Sequence, residues 1–387
     1  MLSKIASASL IGLSCLAVVS AAPFSYGNNP LGNNFPTPAT SQIAAIETQA
    51  HGSLPAGNAP PPTPHADTLT SLRLIAFNEL FEVSYFTQLL NLIKSKAPGF
   101  WDDSRDMDYL VDALTAVQAQ EELHALNANG ALSKFDPNGP VLPCQYNFPV
   151  TNLDDAIALA STFTDVVLGT LQDVATLLGS GKLALVFFPS LHNADDSIDG
   201  DSGLIRGVAS VIGQEGEQNG FYRQFQNKIP SALPFLTAST RDFAFSALNQ
   251  NFIVPGSCPN FNTIKLKVFG TLTVETKAKD IKPQSETIDF SFQIPSTGLA
   301  PEWKSDCSGL DLVYINQQNA PTIAKIQKVD IDTHGGKVTI SALFPFDAAT
   351  FGNGLTLVAL ALASGDLTTV DGVAAATVFG PGLIEIN

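Results

Sequence analysis

Apolar residues recur at three- and four-residue steps in four separate stretches of this chain, and each stretch predicts a long amphipathic helix. In the first, over about 68–96, Leu72, Ile75, Leu80, Val83, Leu90 and Ile93 mark one face, and Pro98-Gly99 supplies the stop. The second, over about 105–128, follows the capping residues Asp102-Asp103-Ser104 and ends at Asn129-Gly130. The third is capped by Thr151 or Asn152 and runs to about Leu178, before Gly179-Ser180-Gly181. The fourth covers about 202–227 and stops ahead of Pro230. Helices of roughly 25 residues span about 38 Å, a length suited to an antiparallel four-helix bundle.

After Pro255 the pattern changes period. Residues 263–269 and 287–292 alternate apolar with polar, and His334-Gly335-Gly336-Lys337 reads as a turn between strands. The runs 310–315, 338–344, 355–363 and 374–386 complete about seven or eight short strands. The predicted fold is therefore an α+β multidomain chain: a helical bundle over 67–250, then a C-terminal β-sandwich over 259–387.

Two segments of other character precede the helices. Residues 1–21 carry Lys4, an apolar run from Ala8 to Val19 and the small residues Val19-Ser20-Ala21, the form of a cleavable secretory signal peptide too short to span a bilayer. Residues 22–66 are rich in Pro, Gly and Asn and end near Pro60-Pro61-Pro62, which predicts a flexible or extended leader. No later stretch reaches membrane length without a charge or a helix breaker, so no membrane span is expected.

Composition narrows the partners. With 387 residues, 45% of them hydrophobic, the chain can bury a sizeable core, and a net charge of −16 without a basic patch makes nucleic acid and anionic membrane surfaces poor partners. A secreted, extracellular or cell-wall location fits the signal peptide. Removing the signal takes Cys15 with it and leaves Cys144, Cys258 and Cys307, enough for one disulfide and one spare thiol.

The candidate chemistry lies in the second helix. Glu121 and His124 sit three residues apart on one helical face, the spacing at which a carboxylate and an imidazole can share a cation. A carboxylate-bridged di-metal bundle takes one Glu from each of two helices and a Glu-x-x-His from each of the other two. The first helix offers Glu79, with Glu82 beside it, and the fourth offers Glu215, but three residues beyond Glu215 stands Gln218. The third helix presents Thr164 where a carboxylate is needed, with Asp165 turned about 100° away. Four ligands of six remain: Glu79, Glu121, His124 and Glu215. That set suits at most one iron or manganese ion, or else a hydrogen-bonded polar cluster in which Arg73 or Arg223 balances the carboxylates. Glu82, Glu122 and Glu217 read as solvated or supporting groups.

Several of these residues carry a resemblance. Asn78-Glu79-Leu80 with Tyr85-Phe86, Glu121-Glu122-Leu123-His124, Cys144 through Val150, Glu215 through Phe221-Tyr222-Arg223, and Asn251-Phe252-Ile253 before Cys258-Pro259 together resemble the secreted ferritin-like proteins of fungi known as late sexual development or stress-response proteins. The resemblance covers about 67–259. It implies a ferritin-like bundle, secretion and a role in sexual development, sporulation or stress, with no established reaction. Both Cys144 and Cys258 fall within the matching motifs, which favours a Cys144–Cys258 disulfide over Cys258–Cys307.

Three functions stand side by side at this level. The first is a non-catalytic developmental or stress protein with a degenerate metal site. The second is a metal-dependent oxidase or peroxide-consuming enzyme, and the third a module that binds cell-wall components or other proteins, or that self-associates. Residues 195–201 imitate the start of a calcium loop, but Arg206 stands where its bidentate glutamate belongs, so a solvated acidic loop is expected. His51, His65, His192 and His334 lack ligand spacing and are read as surface residues.

Overall fold

In the computed structural model, residues 22–28, 31–55, 64–187, 201–296, 298, 300–304, 306–332 and 336–386 are described. The signal peptide and most of the calcium-like loop, with His192 and His334, lie outside them. Four long helices form the first half: α2 (Ala66–Lys94), α3 (Met107–Phe135), α4 (Leu153–Phe187) and α5 (Ile205–Phe225). Two side-chain tethers fix the direction of each pair. Arg73 at the start of α2 pairs with Asp136 just past α3, and Glu79 meets His124 near both midpoints, so α2 and α3 are antiparallel. Tyr85 Oη donates to the Ala156 carbonyl (2.7 Å) while Arg241 bridges Asp67 and Asp173, so α4 also runs against α2. Ser161 bonds Asn219 and Gly179 lies beside Ile205, which sets α5 against α4. Consequently α3 and α4 are parallel, joined by one long crossover over 136–152.

Two helices outrun their sequence signals. α3 continues through Asn129-Gly130 because Leu132 is fully buried in the bundle core, and the Asn129 side chain bonds both the N–H and the carbonyl of Val141 in the crossover instead of closing the helix. α4 continues through Gly179-Ser180-Gly181 to Phe187; a helical glycine costs about 1 kcal/mol, which does not halt the apolar Leu- and Ala-rich run beyond.

The expected flexible leader is partly ordered. Residues Thr40–Ala50 form α1, which packs on α3 through Ile46, Ala50, Ala119 and Leu123. Ahead of it, Tyr26 and Phe35 enter the bundle core, Tyr26 Oη donates to the Leu80 carbonyl (2.7 Å), and Phe24 pairs with Tyr146 of the crossover. Few residues do this anchoring, which is why composition hides it.

The second half holds two antiparallel sheets. One has the order β1 (Thr273–Val274), β2 (Glu286–Gln293), β6 (Lys337–Phe344), β5 (Ile326–Ile331); the other β4 (Thr322–Ala324), β3 (Leu310–Asn316), β7 (Gly354–Leu362), β8 (Thr377–Ile386). Alternate residues of β2 and β6 (Ile288, Phe290, Val338, Ile340) meet those of β3 and β7 (Leu312, Tyr314, Val358, Leu360), so the sheets share a core. The outer face of the second sheet is covered too, by α4, α6 (Arg241–Asn251) and α7 (Val370–Ala376), which explains the unbroken apolar run of β7.

α6 wedges between the halves: Phe245 joins the bundle core while Phe243 joins the sheet side. Burial on two sides erases its helical period. Of the strand expected over 263–269, Thr263 closes a 3₁₀ turn and 265–269 joins no sheet, because Lys267 N–H bonds Asp242 Oδ1 and Phe269 N–H bonds Ser246 Oγ on α6. Where α4 passes the segment entering α6, a side chain on Gly169 would collide with the Thr237 carbonyl oxygen. Gly169→Ala is therefore expected to destabilise the protein by about 1–3 kcal/mol, read as a lowered urea midpoint at unchanged slope.

Candidate metal centre

The sequence nominated four ligands from three helices, and the fold brings all four together. Donor atoms of Glu79 (α2), Glu121 and His124 (α3) and Glu215 (α5) lie within 4.8 Å of one another. All three carboxylates are at most 1% exposed. His124 Nδ1 is 2.9 Å from Glu121 Oε2 and 3.6 Å from Glu79 Oε2. Helical spacing explains the first contact and antiparallel packing the second.

The template position of the second histidine is filled by Gln218, whose Nε2 donates to Glu121 Oε1 (2.6 Å) and Gln120 Oε1 (3.1 Å). Gln218 thus satisfies a carboxylate lone pair where a histidine would have added a ligand. On α4, Thr164 is buried with its hydroxyl unpartnered, while Asp165 turns away to accept from Asn219 Nδ2 (2.9 Å). Burial raises Asp165 to about 6 against the pull of Arg223. Asp165 does not complete the site.

Neither arginine considered as a counter-charge reaches the cluster. Arg73 pairs with Asp136 and the Thr263 carbonyl, and Arg223 lies 3.7 Å from Glu385 and donates to the Ile229 carbonyl. Glu217 is exposed as expected, but Glu82 and Glu122 are buried. Asn78 donates to Glu82 (2.8 Å), and the leader's Asn33 donates to Glu122 (2.7 Å), whose burial lifts it to about 7. Both are therefore supporting groups and not solvated ones, a choice the helical period left open because it gives a face, not what another segment lays over it. Similarly, half-exposed His65 sits 2.5 Å from buried Asp201, which also accepts from the His65 N–H and the Thr68 hydroxyl at the start of α2. This acidic residue of the calcium-like loop ties its segment to the start of α2.

Electrostatics divide the cluster into a charged pair and neutral acids. Burial drives Glu79 up to about 8, even against the attraction of His124. Burial, then the neighbouring Glu79 and Glu121, pushes Glu215 well above the usual carboxylate range, and Glu82 rises for the same kind of reason. For Glu121 burial also opposes charge, but His124 and the Gln218 hydrogen bond outweigh it and hold this carboxyl low. In His124 burial disfavours the imidazolium, and Glu121 with Glu79 overcomes it, raising the ring well above its usual value. Without a cation, burial and mutual repulsion favour the protonated form of Glu79, Glu82 and Glu215, while the Glu121–His124 contact favours the charged form of both partners.

This donor set fits one divalent transition metal. Both Glu215 carboxyl oxygens and Glu79 Oε2 are buried without a hydrogen-bond partner, an arrangement that costs free energy unless something binds them. Three oxygens and an imidazole suit iron, manganese or zinc, and at bond lengths of about 2.1 Å, donors on one ion stand at most about 4.2 Å apart. The observed spread of 4.8 Å is about 0.6 Å wider than that limit. A second ion would need the α4 carboxylate and second histidine that Thr164 and Gln218 replace.

A cavity of about 630 Å³ reaches Glu79 and His124 from the end of the bundle where α2 begins. No helix among the described residues is long and apolar enough to cross a membrane. Cys144 and Cys258 are joined in a disulfide, and Cys307 is free and buried. No family model and no curated protein matches the chain. A solved structure of surface layer protein SbsC, domains 1–6, is similar at 10% identity over 81% of this chain, with a TM-score of 0.14. The chain spans 45% of that structure's length, and a similarity at this level establishes no shared fold.

Proposed function

We propose that this chain is a secreted ferritin-like protein that holds a single iron or manganese ion, and that it serves a developmental or stress role instead of di-metal oxidase chemistry. The carrying observation is the buried Glu215 carboxyl, with neither oxygen hydrogen-bonded, facing Glu79, Glu121 and His124. The helix directions support the ferritin-like reading, since a bundle with one long crossover between parallel second and third helices is the arrangement of that class. The disulfide supports an oxidising, extracellular location. The metal would supply Lewis acidity and charge at the floor of the cavity. Around it, Glu121 and His124 would act as ligands, Glu121 oriented by the Gln218 amide, and Glu79 would close the cavity side.

Metal content of the purified secreted protein tests this reading. After loading with Mn²⁺ or Fe²⁺ and removal of excess, about one equivalent is expected, against less than about a tenth in Glu121→Ala/His124→Ala. Less than about a tenth of an equivalent in the unaltered protein would sink the proposal.

A further inference from the structure

We infer that α1 and the segment after it, as far as Pro55, form a lid over the candidate metal centre, and that Gln120 is the positioning residue tying the closed lid to Glu121. The part played by Gln120 rests on the metal-site reading above; the lid itself rests on packing alone.

Three observations meet at the C-terminal end of α1. First, Ala50, His51, Gly52, Ser53 and Pro55 line the cavity of about 630 Å³ that Glu79 and His124 also line, so the leader supplies one wall of the way in. Second, this wall is lightly held. Of the eleven residues of α1 only Ile46 and Ala50 are buried, and they pack with Ala119 and Leu123 of α3, Leu54 lying partly buried against the same group. A short helix docked through so few side chains is a local unit that opens far more often than the molecule unfolds. Tyr26 and Phe35 hold the preceding stretch in the bundle core, so α1 can lift while the chain ahead of it stays anchored.

Third, the docked end of α1 meets a chain of side-chain amides. Gln120 Nε2 donates to the Ala50 carbonyl at 3.4 Å, and Gln120 Oε1 accepts from Gln214 Nε2 (2.9 Å) and Gln218 Nε2 (3.1 Å). Gln218 Nε2 in turn donates to Glu121 Oε1 (2.6 Å). With α1 docked, the Gln120 amide is held at both ends, and the Gln218 nitrogen it receives stays aimed at Glu121. Lifting α1 frees one end of that amide and uncovers Leu123, the residue before His124. A cation held by Glu121 therefore favours the closed lid, and by linkage the closed lid favours the cation by the same factor.

The test is the rate at which iodoacetamide alkylates a thiol placed on the cavity wall by Val174→Cys, a position 1% exposed, in the full secreted chain. Cys307, buried in the core shared by the two sheets, is the internal reporter of unfolding. In metal-free protein Ile46→Ala should speed labelling at the cavity at least about tenfold and leave Cys307 as slow as in the parent. Should Cys307 also accelerate, Ile46→Val, short by one methylene, makes the same comparison with a smaller rise expected. Loading with Mn²⁺ should slow labelling at least about fivefold in the parent but less than about twofold in Gln120→Leu at matched metal content, a difference that a merely structural role for Gln120 would not produce. Equal metal-free rates in the parent and both Ile46 variants would overturn the lid, and equal slowing by Mn²⁺ with and without Gln120 would overturn its positioning role. A parent that takes up no metal would sink the metal-site reading and the Gln120 coupling together, while the metal-free rates would still decide the lid.

Discussion

Replacing both Cys144 and Cys258 by alanine is expected to lower stability by about 4–5 kcal/mol, the largest loss anticipated from any local change. The bond spans a sequence separation of 114, and closing a loop of that length removes about this much entropy from the unfolded chain. It ties the crossover to the chain leaving α6. With an unfolding entropy of about 2.1 cal/mol/K per residue, the melting midpoint should fall about 6–12 °C, less if the chain melts as one unit and more if the helical half melts alone. Reductant should reproduce the fall in the parent and leave the double variant unchanged. An unmoved midpoint, with thiol titration showing the bond broken, would mean that the backbone pairing of Tyr146 with Phe24 and Ile253 already supplies the constraint.

The legible part of the fold was the part whose periodicity comes from one-sided burial. α3, α4 and α5 each bury a stripe against a shared core and β2 and β6 alternate for the same reason, whereas β3 and β7, buried on both faces, stood out as apolar runs without a period. α6 did not, because Phe243 and Phe245 face opposite cores. Residues 263–269 alternate as a strand does, yet their N–H groups reach side chains of α6, and no sequence period encodes the partner of a hydrogen bond. α1 was missed since its ordering depends on Tyr26, Phe35 and Ile46 docking far along the chain, within a segment of disorder-like composition.

The candidate site divides in the same way. Glu79, Glu121, His124 and Glu215 were found because central positions on packed helices must converge, and the absent partners at Thr164 and Gln218 were equally visible. What the sequence concealed was the company those residues keep. Buried Glu82 and Glu122 add acidity that Asn78 and Asn33 only partly satisfy, and the expected neutralising arginines are engaged elsewhere. The cavity was also hidden, since a pattern of apolar positions does not reveal whether the facing side chains are large enough to meet.

That acidity makes pH the sharpest lever on the metal-free protein, whose stability is expected to fall as pH rises from about 5 to about 8. Glu79, raised to about 8, holds a proton in the folded state through most of this window that it has already lost when unfolded. The folded state therefore binds more protons, and stability declines with pH at about 1.4 kcal/mol per pH unit for each proton so held. Glu215 and Glu82 act in the same direction, with Glu122 at about 7 adding to the lower part of the window. His124 has the same sign: its contribution is full below its unfolded value of about 6.5 and is lost as pH rises through its raised folded value. Glu121 opposes them only in acid, where its contribution disappears as pH falls through its lowered value. A bound cation reverses the balance, because it replaces the protons on Glu79, Glu215 and His124 and binds more tightly as they leave. Chelator-treated protein should show urea midpoints dropping between pH 5 and 8, whereas the manganese-loaded form should hold level or rise, with the gap widest at pH 8. Equal midpoints for the chelator-treated protein at both ends would show that the carboxyls are already ionised and paired, and that the buried acids need no cation to be stable.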